Sequence, residues 1–327
     1  MTLKTNIDAL RDTMEEEMRR DDRIVVLGED VGVRGGVFRA TEGLFEKFGA
    51  DRVIDSPLSE LSIVAVGIGL ALKGMRPITE IQFADFIHPA FNQIVNEAAF
   101  IRYRSNGDWS CPLVIRAPYG GGIGGGLYHS QSVEAFFAHV PGLYVFAPST
   151  PADFAGMLRT ALRLEDPVLF LEHKKTYRLI KGEVPDEPFT VPVGKAQVAR
   201  RGSDVTAIGY GLMFHETLKA AEKLAREGIS VEVIDLRTLN PLDKETILTS
   251  VQKTGKAVIV HEDNLTGGLG GEIAAIIAQE AFECLDGPIV RVAGPDVPGI
   301  PFSRPLEKFV MPDAAKIEAA IRNLAAY

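Results

Sequence analysis

Cysteine and long apolar runs are scarce in this sequence. Its 327 residues include two cysteines, Cys111 and Cys284, which provide neither a disulfide framework nor a C-x-x-C metal or redox pair. The longest apolar stretches, such as 63–72, fall short of the ~20 residues that a membrane span requires. The N-terminal residues lack the cationic and apolar pattern of a secretion signal. We therefore predict a cytoplasmic protein that has no membrane partner.

Positive charge is also in deficit. Lys and Arg number 35 against 44 Asp and Glu, which gives a formal net charge of −9. Because a nucleic-acid surface needs a basic footprint for the phosphates, no nucleic-acid partner is expected. The hydrophobic share of 46% excludes an intrinsically disordered chain. The phosphate-loop, zincin and α/β-hydrolase motifs are absent, and no residue is predicted as a metal ligand.

The sequence does contain short apolar runs that alternate with helical patterns. In the N-terminal half, buried strands are predicted at Ile24–Leu27, Pro77–Phe83, Leu113–Arg116, Leu143–Ala147 and Val168–Glu172. Helices are predicted around 7–18 and at 60–73, 86–104, 130–138 and 151–164. This alternation is typical of a parallel sheet that is covered by helices on both faces. The fold class predicted is therefore α/β.

A change of composition divides the chain. Residues 181–194 contain three prolines and show no helical period, which is typical of a linker. Strand and helix patterns resume beyond it, with strands predicted at Val205–Gly209, Ser230–Asp235, Ala257–His261 and Ile289–Val292. We predict an α/β domain at 1–180, a linker at 181–194 and a smaller α/β domain at 195–327.

Six glycines crowd the segment Gly120–Gly126, whose sequence is GGGIGGG. The spacing formally satisfies G-x-G-x-x-G, but a dinucleotide site also requires an acidic residue at the end of the next strand. That strand, Leu143–Ala147, is followed by Pro148, so a Rossmann cofactor site is disfavoured and a loop without a ligand remains the alternative. His129 follows the loop directly. It is either a proton-exchanging group beside a ligand or a surface or capping histidine.

Glu60 stands at the entry of a strongly apolar helix, after a strand that ends near Ile54. Desolvation by neighbouring apolar side chains would suit a carboxylate that shares a proton with a ligand nitrogen. The alternative is a first-turn acid that interacts with the helix dipole. The local sequence leaves both interpretations open.

Several long windows together resemble one family, the beta subunit of the thiamine-diphosphate-dependent decarboxylating component of 2-oxo acid dehydrogenase complexes. The windows are GEDVGVRGGVFRATEGL from Gly28, EIQFADFIHPAFNQIVNEAA from Glu80, LYHSQSVEAFFAHVPGL from Leu127, VIDLRTLNPLD from Val233 and SVQKTGKAVIVHED from Ser250. The resemblance covers nearly the whole chain. It implies a pyrimidine-binding domain followed by a smaller domain of the transketolase C-terminal type.

The resemblance also implies roles for five residues. Glu60 falls where the family's glutamate bonds the aminopyrimidine ring of the cofactor, and Phe86 falls where an aromatic ring packs on it. His129 falls where a histidine reaches the reacting carbon. Gln82 and Tyr128 are candidates for the cofactor and substrate pocket walls. Catalysis is thus assigned to Glu60 and His129.

Two departures from the family pattern concern packing and potassium. Leu61 and Ser62 follow Glu60 where the family has a small or polar residue and glycine, which leaves the glutamate in place but alters its surroundings. Leu164 and Asp166 stand where related subunits carry an acid and an amide around a potassium ion. The resemblance therefore leaves potassium binding open.

The family's Gly-Asp-Gly and Asn-Asn strings, which hold Mg²⁺ and the cofactor's diphosphate, are absent from this chain. The resemblance accordingly implies that an alpha subunit supplies them and that the active species is an alpha2beta2 heterotetramer. The dihydrolipoyl acyltransferase core, which receives the acyl group on its lipoyl domains, is the further partner. Asp286, Asp296 and the terminal carboxylate at Tyr327 are expected at one end of the C-terminal domain, where they would face a basic binding domain of that core.

The windows at Glu80 and Leu127 are more similar to branched-chain 2-oxo acid enzymes than to pyruvate enzymes. Pyruvate and acetoin dehydrogenase beta subunits remain alternatives within the family. From another class, a non-catalytic α/β scaffold that binds no cofactor is kept as a second hypothesis.

Overall fold

The computed structural model describes residues 1–327, and these group into two units. The first unit consists of 1–119 and 136–193, and the second consists of 120–135 and 194–327. The glycine-rich segment and His129 therefore belong to the second unit, although the sequence around them precedes the predicted linker. The boundary within 181–194 falls after Val193.

The first unit alternates strands and helices. Its strands are β1 (Thr2–Thr5), β2 (Ile24–Gly28), β3 (Val53–Asp55), β4 (Arg76–Glu80), β5 (Val114–Tyr119), β6 (Tyr144–Phe146), β7 (Val168–His173) and β8 (Lys181–Val184). Its helices are α1 (Asn6–Arg20), α2 (Leu44–Phe48), α3 (Glu60–Leu72), α4 (Ile101–Arg104), α5 (Glu134–Ala138, which crosses the division between the units), α6 (Pro151–Arg163) and α7 (Thr176–Leu179).

The main sheet of this unit is parallel, with strands in the order β6-β7-β5-β4-β2-β3. Every residue of β2, β4, β5 and β7 is buried, as expected for strands that are covered on both faces. Helices α1 and α6 pack on each other above one face and contribute Leu10, Met14, Phe154 and Leu158 to the core.

Three predictions about local structure differ from what is observed. Residues 86–104 are not one helix but a succession of 3-10 turns, a π-helical segment Gln93–Glu97 and the short α4, because Pro89 enters the stretch and removes a backbone donor. Of 130–138 only α5 is helical, since Gln131 uses its carbonyl to accept from Gly120 N at 2.9 Å. The first four residues of 181–194 form β8, which pairs antiparallel with β1.

The second unit is built in the same way around its own sheet. Its strands are β9 (Gln197–Arg200), β10 (Val205–Gly209), β11 (Val231–Asp235), β12 (Thr238–Asn240), β13 (Ala257–Asn264) and β14 (Val290–Gly294), and its helices are α8 (Gly211–Ala225), α9 (Lys244–Thr254), α10 (Leu269–Glu280), α11 (Arg304–Val310) and α12 (Ala314–Ala325). The sheet order is β14-β13-β10-β11-β9, in which only β9 runs antiparallel to its neighbour. No helix of the chain has the length and apolar character needed to cross a membrane.

The acidic residues expected together at one end of the second unit are separated by β14. Asp286 precedes this strand and Asp296 follows it, so the two carboxylates lie at opposite ends of a five-residue strand. Asp286 stays near the C-terminus, because the adjacent Gly287 lies against the ring of Tyr327. Asp296 instead accepts from the backbone and hydroxyl of Thr266 at 3.0 and 2.6 Å. The expected cluster of three acids is therefore wrong.

Candidate functional site

Three neighbouring parallel strands of the first unit end at the same edge of the sheet. In the order β4-β2-β3, they are followed by Gln82, Glu29 and Glu60, of which only Glu29 comes directly after its strand. Ligands of open α/β sheets bind outside the carboxyl ends of the strands. Backbone and side-chain contacts bind the edge together, since Ser56 N donates to the carbonyl of Gly28 at 2.8 Å. We call this part of the first unit, which comprises Glu29, Glu60, Gln82 and Phe86, the carboxylate edge.

Glu60 is the first residue of α3 and is half-buried. The apolar sequence that follows it forms the helix as predicted, with Ile63, Val64 and Ile68 turned into the core. No side chain caps the helix at Ser59. The carboxylate at this position is therefore available to a ligand at the edge as well as to the helix dipole.

Glu29 is a member of the site that the sequence analysis missed. Burial raises the pKa of its carboxyl group, and the carboxylates of Asp30 and Glu60 raise it further. The Glu29 carbonyl also accepts from Gln82 Nε2 at 3.4 Å. Glu29 thus links the glutamate and the glutamine that were predicted. Its signal in the sequence was its place directly after a fully buried strand.

Phe86 ends a 3-10 turn and lies beside a chain of aromatic rings. Its ring meets Phe83 edge to face, with centroids 5.8 Å apart, and Phe83 meets Phe38 at 5.3 Å. The ammonium of Lys174 lies 5.9 Å from the Phe83 centroid. These edge-to-face contacts hold Phe86 half-buried, with an apolar surface suited to a planar ring.

A buried charge network lies under this edge. Arg116 on β5 donates to both oxygens of Glu172 on β7, at 2.6 and 2.8 Å, and also to Glu80 at the end of β4. Tyr177 donates to Glu172 as well. Burial raises the pKa of Glu80, an effect that the Arg116 guanidinium opposes. Because all four side chains are buried, the network fixes the strand end from which Gln82 and Phe86 emerge.

Two arginines bind to residues 164–167, the stretch that corresponds to the potassium loop of related subunits. Arg76 donates to the carbonyl of Leu164 at 2.9 Å and pairs with Glu165. Arg102 donates to the carboxylate of Asp166 at 2.5 Å. The carbonyl of Leu164 and the carboxylate of Asp166 are therefore both bound to guanidinium groups in this chain.

The second unit holds the other predicted residues. A 3-10 turn, Gly126–Tyr128, leads into His129, which is half-buried, whereas Tyr128 is 66% exposed. The turn packs tightly, because a Cβ atom on Gly125 would lie 2.5 Å from the carbonyl oxygen of His129. Gln131 Nε2 closes the turn by donating to the carbonyl of Leu127 at 3.1 Å.

Buried acids surround the residues that follow the turn. Glu134 is fully buried and accepts from the hydroxyl of Tyr210 at 2.7 Å. Burial raises its pKa to about 8, with a further contribution from Asp263. Burial likewise raises the pKa of Asp263 to about 6, assisted by Glu262. Burial therefore makes both carboxyl groups harder to ionise than exposed ones, and the effect is larger for Glu134.

The predicted residues thus occur in two groups. Glu60 and Gln82 follow neighbouring strands of the first unit and each interacts with Glu29, and Phe86 follows Gln82 along the same segment, whereas Tyr128 and His129 are consecutive residues of the second unit. The sequence analysis missed Glu29, and it missed two carboxylates of the second unit, Glu262 and Glu307, that bind the glycine-rich segment. Neither of these two stands near that segment in the sequence.

Comparisons with known proteins agree with this architecture. Residues 4–180 match the family model of the transketolase pyrimidine-binding domain, and residues 194–317 match that of the transketolase C-terminal domain. Among solved structures, a chain described as a split gene transketolase in an inactive beta4 tetramer has a TM-score of 0.80 at 26% identity, with 98% of each chain covered. The predicted α/β fold class is confirmed.

Curated relatives identify the family more closely. The 2-oxoisovalerate dehydrogenase subunit beta of Bacillus subtilis (strain 168) is 58% identical over 327 residues, which is 100% of both chains. The pyruvate dehydrogenase E1 component subunit beta of the same organism is 46% identical and covers 97% of this chain and 99% of its own length. The resemblance noted in the sequence is thereby confirmed. The chain belongs to the family of beta subunits of the thiamine-diphosphate-dependent 2-oxo acid dehydrogenases, which are built from transketolase-type pyrimidine-binding and C-terminal domains.

Proposed function

We propose that this chain holds the pyrimidine end of thiamine diphosphate in an enzyme that decarboxylates 2-oxo acids, with a preference for branched-chain substrates. The observation that carries the proposal is the carboxylate edge, where Glu60, Glu29, Gln82 and Phe86 follow adjacent parallel strands. The substrate preference is supported by the relative at 58% identity, which is named for 2-oxoisovalerate.

The residues at this edge fit an aminopyrimidine in chemical terms. Glu60 offers a half-buried carboxylate and Phe86 a half-buried aromatic ring, so one can exchange a proton with a ring nitrogen while the other covers a ring face. Gln82 contributes amide hydrogen-bonding groups and is itself oriented by the Glu29 carbonyl. The donor set therefore contains both the polar and the apolar contacts that such a ring requires.

When bound, thiamine diphosphate supplies a carbon nucleophile that adds to the 2-oxo carbonyl and accepts the electrons released with carbon dioxide. The role we propose for Glu60 is to hold and exchange a proton at the pyrimidine. Phe86 packs on the ring and excludes water from it. Exclusion of water strengthens the hydrogen bond between the Glu60 carboxylate and the ring, because electrostatic interactions are larger in a medium of low dielectric constant.

His129 has a different role in the proposal. Its half-buried imidazole follows a tightly packed turn, and imidazole can give or take a proton near neutral pH. We assign it proton transfer during passage of the acyl group to a lipoyl acceptor. Tyr128 is assigned to the substrate pocket wall.

Partners complete the proposal. The Gly-Asp-Gly and Asn-Asn strings are absent from this sequence, which supports an alpha subunit as the source of the Mg²⁺ ligands and the diphosphate contacts. The active species proposed is an alpha2beta2 heterotetramer that delivers acyl groups to a dihydrolipoyl acyltransferase core. Potassium is left out of the proposal, because Arg76 and Arg102 already bind the oxygens of Leu164 and Asp166.

The test is reconstitution of the chain with its separately expressed alpha subunit, thiamine diphosphate and Mg²⁺. Reduction of an artificial electron acceptor is followed with 3-methyl-2-oxobutanoate, pyruvate and acetoin as substrates in parallel. We expect the highest kcat/KM with 3-methyl-2-oxobutanoate. A higher value with pyruvate or acetoin would overturn the substrate preference and favour the corresponding enzyme.

The same assay separates an enzyme from a scaffold. A scaffold hypothesis predicts a stable assembly that binds no cofactor and reduces no acceptor with any of the substrates. The matched control is Asp286→Asn, which changes an acid of the second unit outside the proposed site. It should leave turnover unchanged, whereas Glu60→Gln should abolish it.

A further inference from the structure

The glycine-rich segment of the second unit has an alternating backbone. Gly120, Gly122, Gly124 and Gly126 have positive φ values of 86, 84, 75 and 64°, and the residues between them do not. Consecutive residues whose φ values alternate in sign can turn their N–H groups toward one side and form a concavity that binds anions. The abundance of glycine therefore has a conformational reason, since other residues rarely adopt these angles.

A carboxylate of the same unit fills this concavity. Glu307 on α11 accepts from Gly122 N at 2.8 Å and from Gly124 N at 3.0 Å, both through Oε1. Gly121 N, directly before them in the sequence, donates to Glu262 Oε1 near the end of β13. Glu307 is 7% exposed, so water competes little for its oxygens. The segment is tied by its backbone to two separate elements.

Apolar contacts seat the following turn on residues that precede α11. A Cβ atom on Gly126 would lie 2.4 Å from Cε2 of Phe302, so the backbone lies directly on that ring. Leu127 Cδ2 is 2.8 Å from the position of a Cβ atom on Gly299. The turn that carries Tyr128 and His129 is thus bounded on one side by 299–302 and on the other by the backbone that Glu307 binds.

We propose that Glu307 is a positioning residue, whose carboxylate fixes the glycine-rich segment and thereby the turn that presents His129. The tether follows from the hydrogen bonds alone, whereas its consequence for turnover rests on the proposed function. Two charge-assisted hydrogen bonds on one oxygen are stronger than neutral ones. Loss of the carboxylate leaves two backbone N–H groups without their acceptor.

The neighbouring helix supplies a matched control. Glu318 on α12 is 8% exposed, which is nearly the exposure of Glu307, but its carboxylate binds Lys223 and Arg322 instead of backbone groups of the glycine-rich segment. Glu318→Ala therefore removes an equally buried glutamate of the same unit. In this variant, we expect amide hydrogen exchange of the glycine-rich segment to stay as slow as in the wild type.

The experiment measures hydrogen–deuterium exchange of the full-length chain by mass spectrometry, on peptides that cover 120–131. In Glu307→Ala, exchange of these amides should rise about tenfold to a hundredfold, as expected for loss of charge-assisted hydrogen bonds. Glu307→Gln keeps an acceptor oxygen and should restore most of the protection. Glu307→Asp keeps the charge but withdraws the oxygen by one methylene, and should exchange as fast as Glu307→Ala; it serves as the test if the alanine variant fails to fold.

Turnover is measured in the reconstituted tetramer with the same variants. We expect kcat to fall at least tenfold in Glu307→Asp, with little change in KM and in the Kd of thiamine diphosphate, and to recover in Glu307→Gln. Unchanged exchange in both Glu307→Ala and Glu307→Asp, or wild-type kcat despite fast exchange, would overturn the proposal. If the wild-type tetramer turns over no 2-oxo acid, the proposed function fails, and the exchange data alone decide whether Glu307 fixes the segment.

Discussion

Replacement of Glu134 by glutamine should change how the stability of the chain depends on pH. Glu134 is fully buried beside Asp263 and Glu262, and Tyr210 donates to one of its oxygens. Burial and the neighbouring acids raise its pKa from an ordinary 4.5 to about 8. The folded chain therefore holds this proton more tightly than the unfolded chain does.

The direction and size of the effect follow from that difference. A carboxyl group whose folded pKa is raised contributes stability that is complete below about pH 4.5 and is lost as pH rises through about 8. Each pH unit between the unfolded and the folded pKa changes the free energy of unfolding by about 1.4 kcal/mol. Between about pH 5.5 and 8, this group should lower the free energy of unfolding by about 3 kcal/mol. Glutamine cannot ionise and should lack this loss.

The assay is urea denaturation of the wild type and of Glu134→Gln at four pH values between 5.5 and 8, followed by circular dichroism. Urea is preferred to guanidinium, because it does not screen charges. Subtracting the two free energies removes the pH dependence that all other groups share. The difference should shift steadily in favour of the variant as pH rises, and a difference that stays constant across this interval would refute a proton on Glu134.

Three further outcomes are expected in the assembled enzyme or the free chain. Glu60→Gln should abolish hydrogen–deuterium exchange at the thiazolium carbon without unfolding the chain, and wild-type exchange would remove Glu60 from the mechanism. His129→Ala should slow lipoyl acylation by about 10²–10⁴-fold, while cofactor affinity measured by calorimetry stays the same; unchanged turnover would make His129 structural. Arg116→Met should cost about 3–5 kcal/mol in urea denaturation, because Glu80 and Glu172 are left buried without a counter-charge, whereas a loss below about 1 kcal/mol, as for an exposed pair, would contradict the network.

Gln82 and Phe86 were assigned through the family resemblance, and only Glu60 also stood out by its own place at the entry of an apolar helix. Runs such as Ile24–Leu27 are apolar throughout, as parallel strands covered on both faces must be. The carboxyl ends of neighbouring parallel strands lie at one edge of the sheet, which is why residues that follow β2, β3 and β4 occur at the same edge. Glu29 met the same criterion, but a carboxylate after a strand also has an ordinary interpretation as a solvated turn residue.

Apolar periodicity was a poorer guide where tertiary contacts divide a helix. Residues 86–104 have helical spacing, yet Pro89 and the π-helical segment Gln93–Glu97 interrupt the ladder. The short α5 begins only at Glu134, since the preceding residues bind back to the start of the glycine-rich segment. Local spacing contains no information about such partners.

The glycine-rich segment shows why composition alone could not assign a role. Six glycines allow a dinucleotide turn or an unliganded loop, and the missing acid after the next strand disfavoured the first without giving the segment a role. Its carboxylate partners, Glu262 and Glu307, are 141 and 185 positions away in the sequence. A concavity of N–H groups selects an anion by charge and shape but not by origin, so an internal carboxylate serves as well as a ligand's phosphate. The same backbone that would mark a phosphate site elsewhere here holds the chain's own C-terminal helix region, and it is this internal anion that makes the segment a support for His129.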